Sequence, residues 1–101
     1  MTLDEYQALA KRTQNRATGG LINYTLGLVG EAGEVAELVK KHTFHGVSMG
    51  GRLQEELGDV LWYLAALCEE CGLSLDAVAE QNVAKLKARY PEGFEHGGGI
   101  R

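Results

Sequence analysis

The chain has 101 residues and a mass of 10.9 kDa, room for a single domain. Apolar residues make up 45% and charged residues 24%, a globular balance that excludes a disordered or collagen-like chain. Fourteen acids against ten bases leave a net charge of −4, which argues against nucleic acid as a partner, and the longest apolar run, Val60 to Cys68, is far short of the ~20 residues a membrane span needs.

Helical spacing recurs four times, and no stretch alternates apolar and polar residues for long. The first predicted helix runs from Leu3 to Arg16, with Thr2 and Glu5 in the spacing of a capping box. Acid at Asp4 and Glu5, where an export signal would be basic, makes the cytoplasm the expected location. Thr18-Gly19-Gly20 breaks the chain, and a second helix is predicted from Leu21 to His42. Phe44 to Gly51, FHGVSMGG, reads as a flexible loop. A third helix is predicted from Arg52 to Cys71, stopped by Gly72. Ser74 caps a fourth, which reaches Tyr90 and ends at Pro91. Residues 95–101 read as a tail without order, which leaves 1–94 as the domain. Four helices with short links predict an all-α, four-helix-bundle-like fold.

The third helix is unusually apolar. Between Leu57 and Cys68 its only charge is Asp59. A helix apolar all round is normally covered all round. The expectation is therefore a homo-oligomer with the third helix at or near the interface.

Pairs of acids three apart are common in so acidic a chain, and their ordinary place is a solvated face. Position on the helix separates the cases. At 100° per residue from Glu31, the residues Leu38, Val35, Leu28, Val39, Ala32, Ala36 and Val29 span an apolar arc from about −20° to about 160°. Glu31 lies inside that arc, Glu34 at its margin and Glu37 outside it. On the third helix, Glu56 and Tyr63 fall between Asp59 and an apolar arc formed by Val60, Leu53, Leu64, Leu57, Cys68 and Leu61. A carboxylate among such neighbours is costly to bury unpaired.

Residues three apart on a helix are neighbours, so Glu31/Glu34 and Glu56/Asp59 on facing antiparallel helices would bring four carboxylates to one point. A divalent cation relieves their repulsion, and an all-oxygen donor set selects Mg²⁺, or Mn²⁺ in its place. A di-iron bundle would want Glu-x-x-His, and the positions three after Glu31 and Glu56 are Glu34 and Asp59. On the fourth helix, Asn82, Lys85 and Arg89 form a stripe beside the apolar arc of Leu75, Ala79, Val83, Leu86 and Tyr90. Acids that hold a metal, next to such a stripe, are suited to a metal–polyphosphate complex. A solvated basic face is the plainer reading of Lys85 and Arg89.

GLVGEAGEVAE (Gly27 to Glu37), then EELGDVLWYL (Glu55 to Leu64), then NVAKLKARYPEGF (Asn82 to Phe94) resemble the MazG-like all-α nucleoside triphosphate pyrophosphohydrolases, whose signature is E-x-x-E, a spacer, and E-x-x-D. The resemblance implies Mg²⁺-dependent hydrolysis between the α- and β-phosphates of a (deoxy)nucleoside triphosphate, giving the monophosphate and pyrophosphate. It implies metal binding by Glu31, Glu34, Glu56 and Asp59, with one of the glutamates also orienting or deprotonating the attacking water. By the same carry-over Lys85 and Arg89 hold phosphates, Asn82 bonds phosphate or sugar, and Tyr63 lines the nucleotide pocket. Homodimers or dimer-of-dimers tetramers are implied as well, and a role in clearing non-standard or surplus nucleotides. The competing reading is a non-catalytic helical oligomerisation module with a structural cation site.

Other signals point elsewhere. Cys68-Glu69-Glu70-Cys71 ends a helix and encloses two acids, both of which oppose thiolate formation, so Cys68 reads as core. His42 and His45 are separated from those cysteines by the whole third helix, which disfavours a zinc site within the chain. His42, Phe44 and His45 are equally substrate contacts or loop residues. Trp62 is read as an interface residue in preference to a base-stacking one.

Overall fold

The structure, a computed structural model, describes residues 1–15 and 19–93. Four helices follow in order: α1 (Leu3–Lys11), α2 (Gly20–His45), α3 (Arg52–Glu70) and α4 (Leu75–Arg89). No strand occurs among the described residues. The fold is all-α, as the spacing predicts.

Local chemistry sets the boundaries. Thr2 and Glu5 form the reciprocal capping box, with Oγ1 of Thr2 accepting from the Glu5 N–H at 3.0 Å and Glu5 accepting from the Thr2 N–H at 2.8 Å. α1 ends at Lys11, short of the expected Arg16, because the Thr13 hydroxyl and N–H both turn back onto the Ala10 carbonyl. Arg16 and Thr18 themselves lie outside the described residues, as do residues 94–101, which include the expected tail. α2 continues through Phe44 and His45, where a loop was expected. It stops at Gly46, which adopts the left-handed conformation that glycine tolerates best. α3 closes with Gly72 at φ +69, the Leu73 N–H bonding the Cys68 carbonyl at 2.8 Å and the Gly72 N–H bonding Glu69, which is a Schellman ending.

α2 and α3 form an antiparallel pair. Gly20 meets the Glu70 carboxylate at one end, and Gly27 meets the Tyr63 ring further along. The ring lies so close to α2 that any Cβ at residue 27 would overlap it. α1 packs on the other side of α3, around a core of Ala10, Ala65, Cys68 and Leu75, with Leu3, Tyr6, Leu61, Trp62, Leu64 and Val78 against it. The apolar girth of α3 is thus mostly covered by α1 and α2 within one chain. Trp62 likewise is engaged internally, its indole N–H donating to Thr13 at 2.8 Å and its ring edge-on to Tyr24 and Tyr63.

The large exposed apolar surface lies on α2 instead. Its buried stripe is Tyr24, Gly27, Leu28, Glu31, Val35 and Leu38, about 100° wide. The remainder of the expected arc faces outward, with Val29 66% and Val39 42% exposed, and Ile22 and Leu26 beside it are 65% and 64% exposed. α4 packs chiefly on α1, near its own start. The Cα radius of gyration is 16.4 Å, against about 13 Å for a compact domain of this length.

Candidate metal-binding site

The narrow stripe that α2 buries against α3 has a glutamate in its middle. Glu31 is half-buried, and it faces Glu56 and Asp59 across the antiparallel pair. One carboxylate oxygen from each of the three lies within 4.8 Å of the others. Glu56 is half-buried and Asp59 exposed, so the cluster opens to solvent on the Asp59 side. Each acid stands on a rigid helix, and the Gly27–Tyr63 approach, one turn away on both helices, sets the separation of those helices.

No counter-charge is supplied by the described residues. The ion pairs among the described residues, Lys11–Glu69 at 3.4 Å and Lys41–Glu37 at 3.8 Å, leave the three acids without a basic partner. Desolvation raises the Glu31 pKa above its ordinary range, followed by the hydrogen bond that a protonated Glu31 shares with Glu56 and by the charges of Asp59, Glu56 and Glu34. The arrangement favours the neutral form of an acid unless a cation joins it. Three carboxylates with open solvent on one side suit a hard divalent cation, which takes its remaining oxygens from water or ligand. They do not suit zinc or iron, which would look for histidine or thiolate here.

The other predicted site residues divide into two groups. Glu34 is exposed, and its carboxylate is outside the converging three, although its charge acts on Glu31. Tyr63 is half-buried beside the cluster, wedged between Trp62 and Gly27. Asn82, Lys85 and Arg89 are exposed on α4, and they are not brought to the acids within one chain, because α4 has no packed interface with α2. His42 bonds the Val47 carbonyl through Nδ1 at 2.9 Å, which secures the turn after α2. Cys68 is buried and Cys71 exposed, both free thiols, and burial pushes the Cys68 thiol up, away from redox use.

Three features escape a sequence reading. Tyr6 on α1 comes under the charge of Asp59, which adds to burial in raising its hydroxyl pKa. Gly27 is a contact residue, whereas a Cβ at Gly30, Gly33 or Gly58 would meet nothing within 4 Å. These helical glycines look alike in sequence, and only the facing helix tells them apart. A groove of about 650 Å³ runs from Asp59 past Glu55, Gly58 and Gln54 to Gly51, so Gly58 leaves bare backbone beside an acid of the cluster.

The family described as MazG nucleotide pyrophosphohydrolase domain matches residues 20–94, which hold all three acids. The chain is 45% identical over 85 residues to the Gene 37 protein of Mycobacterium phage L5, covering 79% of this chain and 75% of that protein. It is 39% identical over 82 residues to dCTP pyrophosphatase 1 of Mus musculus and 42% identical over 76 residues to that of Homo sapiens. Those matches cover 74% and 68% of this chain, which spans about half the length of the two mammalian proteins (48% and 45%). No solved structure matches the chain. With three quarters of its length inside the family match and an acid cluster open to a cation, the chain belongs to the MazG nucleotide pyrophosphohydrolase domain family.

Proposed function

We propose that the chain is a Mg²⁺-dependent pyrophosphohydrolase that cleaves a (deoxy)nucleoside triphosphate between the α- and β-phosphates. The observation that carries this reading is the convergence of Glu31, Glu56 and Asp59 within 4.8 Å, with no cation among the described residues paired to them. Mn²⁺ would serve in place of Mg²⁺, since both accept an all-oxygen donor set. A bound divalent ion would neutralise phosphate charge and lower the pKa of a water bound to it.

The chain's own residues do the rest. Glu31, Glu56 and Asp59 hold the ion, and Glu34 completes the set from its margin. The oxygen of water bonds the α-phosphorus, the bond to the α–β bridging oxygen breaks, and pyrophosphate leaves with the monophosphate as the second product. A glutamate of the set takes the proton of the attacking water. Tyr63 borders the nucleoside, while Lys85 and Arg89 hold phosphates and Asn82 a phosphate or sugar oxygen. α4 lies away from the acids of its own chain, so in this reading it serves the site of a neighbouring copy. The exposed face of Ile22, Leu26 and Val29 supports a homodimer or dimer-of-dimers. Among the described residues no helix is long and apolar enough to cross a membrane. A reaction on nucleotide pools belongs in the cytoplasm, which is the location we propose.

The test is to incubate the purified chain with Mg²⁺ and a panel of NTPs and dNTPs and to assay pyrophosphate. dCTP heads the panel because the mammalian relatives carry its name. Pyrophosphate release that is absent from Glu56→Gln and Asp59→Asn supports the reading. No release above those controls refutes it, and release of orthophosphate instead of pyrophosphate refutes the position of cleavage.

A further inference from the structure

α4 begins in an unusually complete joint. Its first three N–H groups, which no helix can satisfy from within, each meet a side-chain oxygen. Gln7 Oε1 accepts from Leu75 at 2.7 Å, Asp4 Oδ1 from Asp76 at 3.0 Å, and Ser74 Oγ from Ala77 at 3.1 Å. Two of these oxygens come from α1. Asp76 returns the bond, its Oδ2 accepting from the Asp4 N–H at 3.3 Å, so the two helix starts cap each other. Gln7 is only 8% exposed, and its amide also donates to the Leu73 carbonyl at 2.9 Å.

Beyond this joint α4 is poorly held. Val78 still packs on the core, but Val83 is 47% exposed and the helix has no packed interface with α2. At 1.5 Å per residue, Lys85 lies about 15 Å and Arg89 about 21 Å from Leu75. A tilt of about 10° at the joint would move them by about 3 Å, beyond what positioning at a reacting centre tolerates.

We infer that Asp4 and Gln7 are positioning residues, which aim α4 and so place Asn82, Lys85 and Arg89 on the phosphates of the substrate. This rests on the function proposed above. The phosphates gripped here leave as pyrophosphate and gain negative charge as the bond to the bridging oxygen breaks, so a misaimed α4 weakens both substrate binding and stabilisation of the transition state.

Steady-state kinetics on the full chain with Mg²⁺ and its best triphosphate from the panel test this, with Mn²⁺ affinity of the substrate-free protein as a second readout. Asp4→Ala and Gln7→Met should each lower kcat/KM about tenfold or more and leave Mn²⁺ affinity unchanged. Asp4→Asn, which retains an acceptor for Asp76, should restore most of kcat/KM. If Gln7→Met does not fold, the Asp4 pair decides alone. A lowered melting temperature with kcat/KM unchanged would overturn the inference and reduce the joint to a structural clasp. A fall in kcat with weakened Mn²⁺ binding would overturn it too, as damage to the acid cluster. Absence of turnover by the unmodified chain would refute the function beneath it.

Discussion

Two groups of acids in this chain receive opposite treatment. Asp4 and Glu5 sit at helix starts, where backbone N–H groups and hydroxyls complete their charge, and their pKa values fall below the ordinary range. Glu31, Glu56 and Asp59 meet one another in the α2–α3 seam with no basic partner among the described residues, and the Glu31 pKa rises. Carboxylates satisfied from within hold the fold together. Carboxylates gathered and left unsatisfied cost stability, and a fold retains them where a ligand is to complete them.

The sharpest way to break this contrast is to neutralise one acid of the seam. Glu56→Gln or Asp59→Asn should lower pyrophosphate release by about 100-fold or more, while the melting temperature in EDTA holds or rises. A loss of activity matched by a loss of fold would make these acids structural, like those at the helix starts.

A second test separates the helices that bring the acids together. Gly27→Ala should destabilise the chain by about 1–3 kcal/mol, because the new Cβ overlaps the Tyr63 ring. Gly30→Ala, one turn on and facing open space, should stabilise the isolated chain by about 0.5–1 kcal/mol in denaturant melts. A penalty at Gly30 as large as that at Gly27 would mean that a second copy covers it.

At the satisfied end the effects are smaller. Ser74→Ala, which removes the acceptor for the Ala77 N–H, should cost about 1 kcal/mol and leave Mn²⁺ affinity unchanged.

The pH dependence should carry both signs. The raised Glu31 pKa means that the metal-free chain is more stable with that group protonated. This advantage is complete below the ordinary glutamate range and is lost as pH rises through the raised value. The lowered pKa values of Asp4 and Glu5 give stability that is present above the ordinary carboxylate range and lost as pH falls through their depressed values. Melting curves in EDTA should therefore decline on both sides, and Mg²⁺ should abolish the decline on the alkaline side alone. An alkaline decline that Mg²⁺ leaves intact would remove the cation from the site.

Element type and capping are local properties, and the sequence determined them by itself. Thr2/Glu5, Ser74, Gly72 and Pro91 bound helices where their spacing says, and Glu31, Glu56 and Asp59 stand out as acids on apolar faces. Where the reading departs from the structure, a tertiary contact is responsible. α1 ends early at a Thr13–Ala10 bond, α1 and α2 of the same chain pack against α3, and half of the apolar arc of α2 is left outside. Periodicity places a side chain on a face but does not name the helix opposite. For that reason only the tertiary structure could show that Gly27 is a contact and Gly30 is not, that Glu34 stands clear of the three converging acids, and that α4 carries its basic stripe away from them, aimed by Asp4 and Gln7.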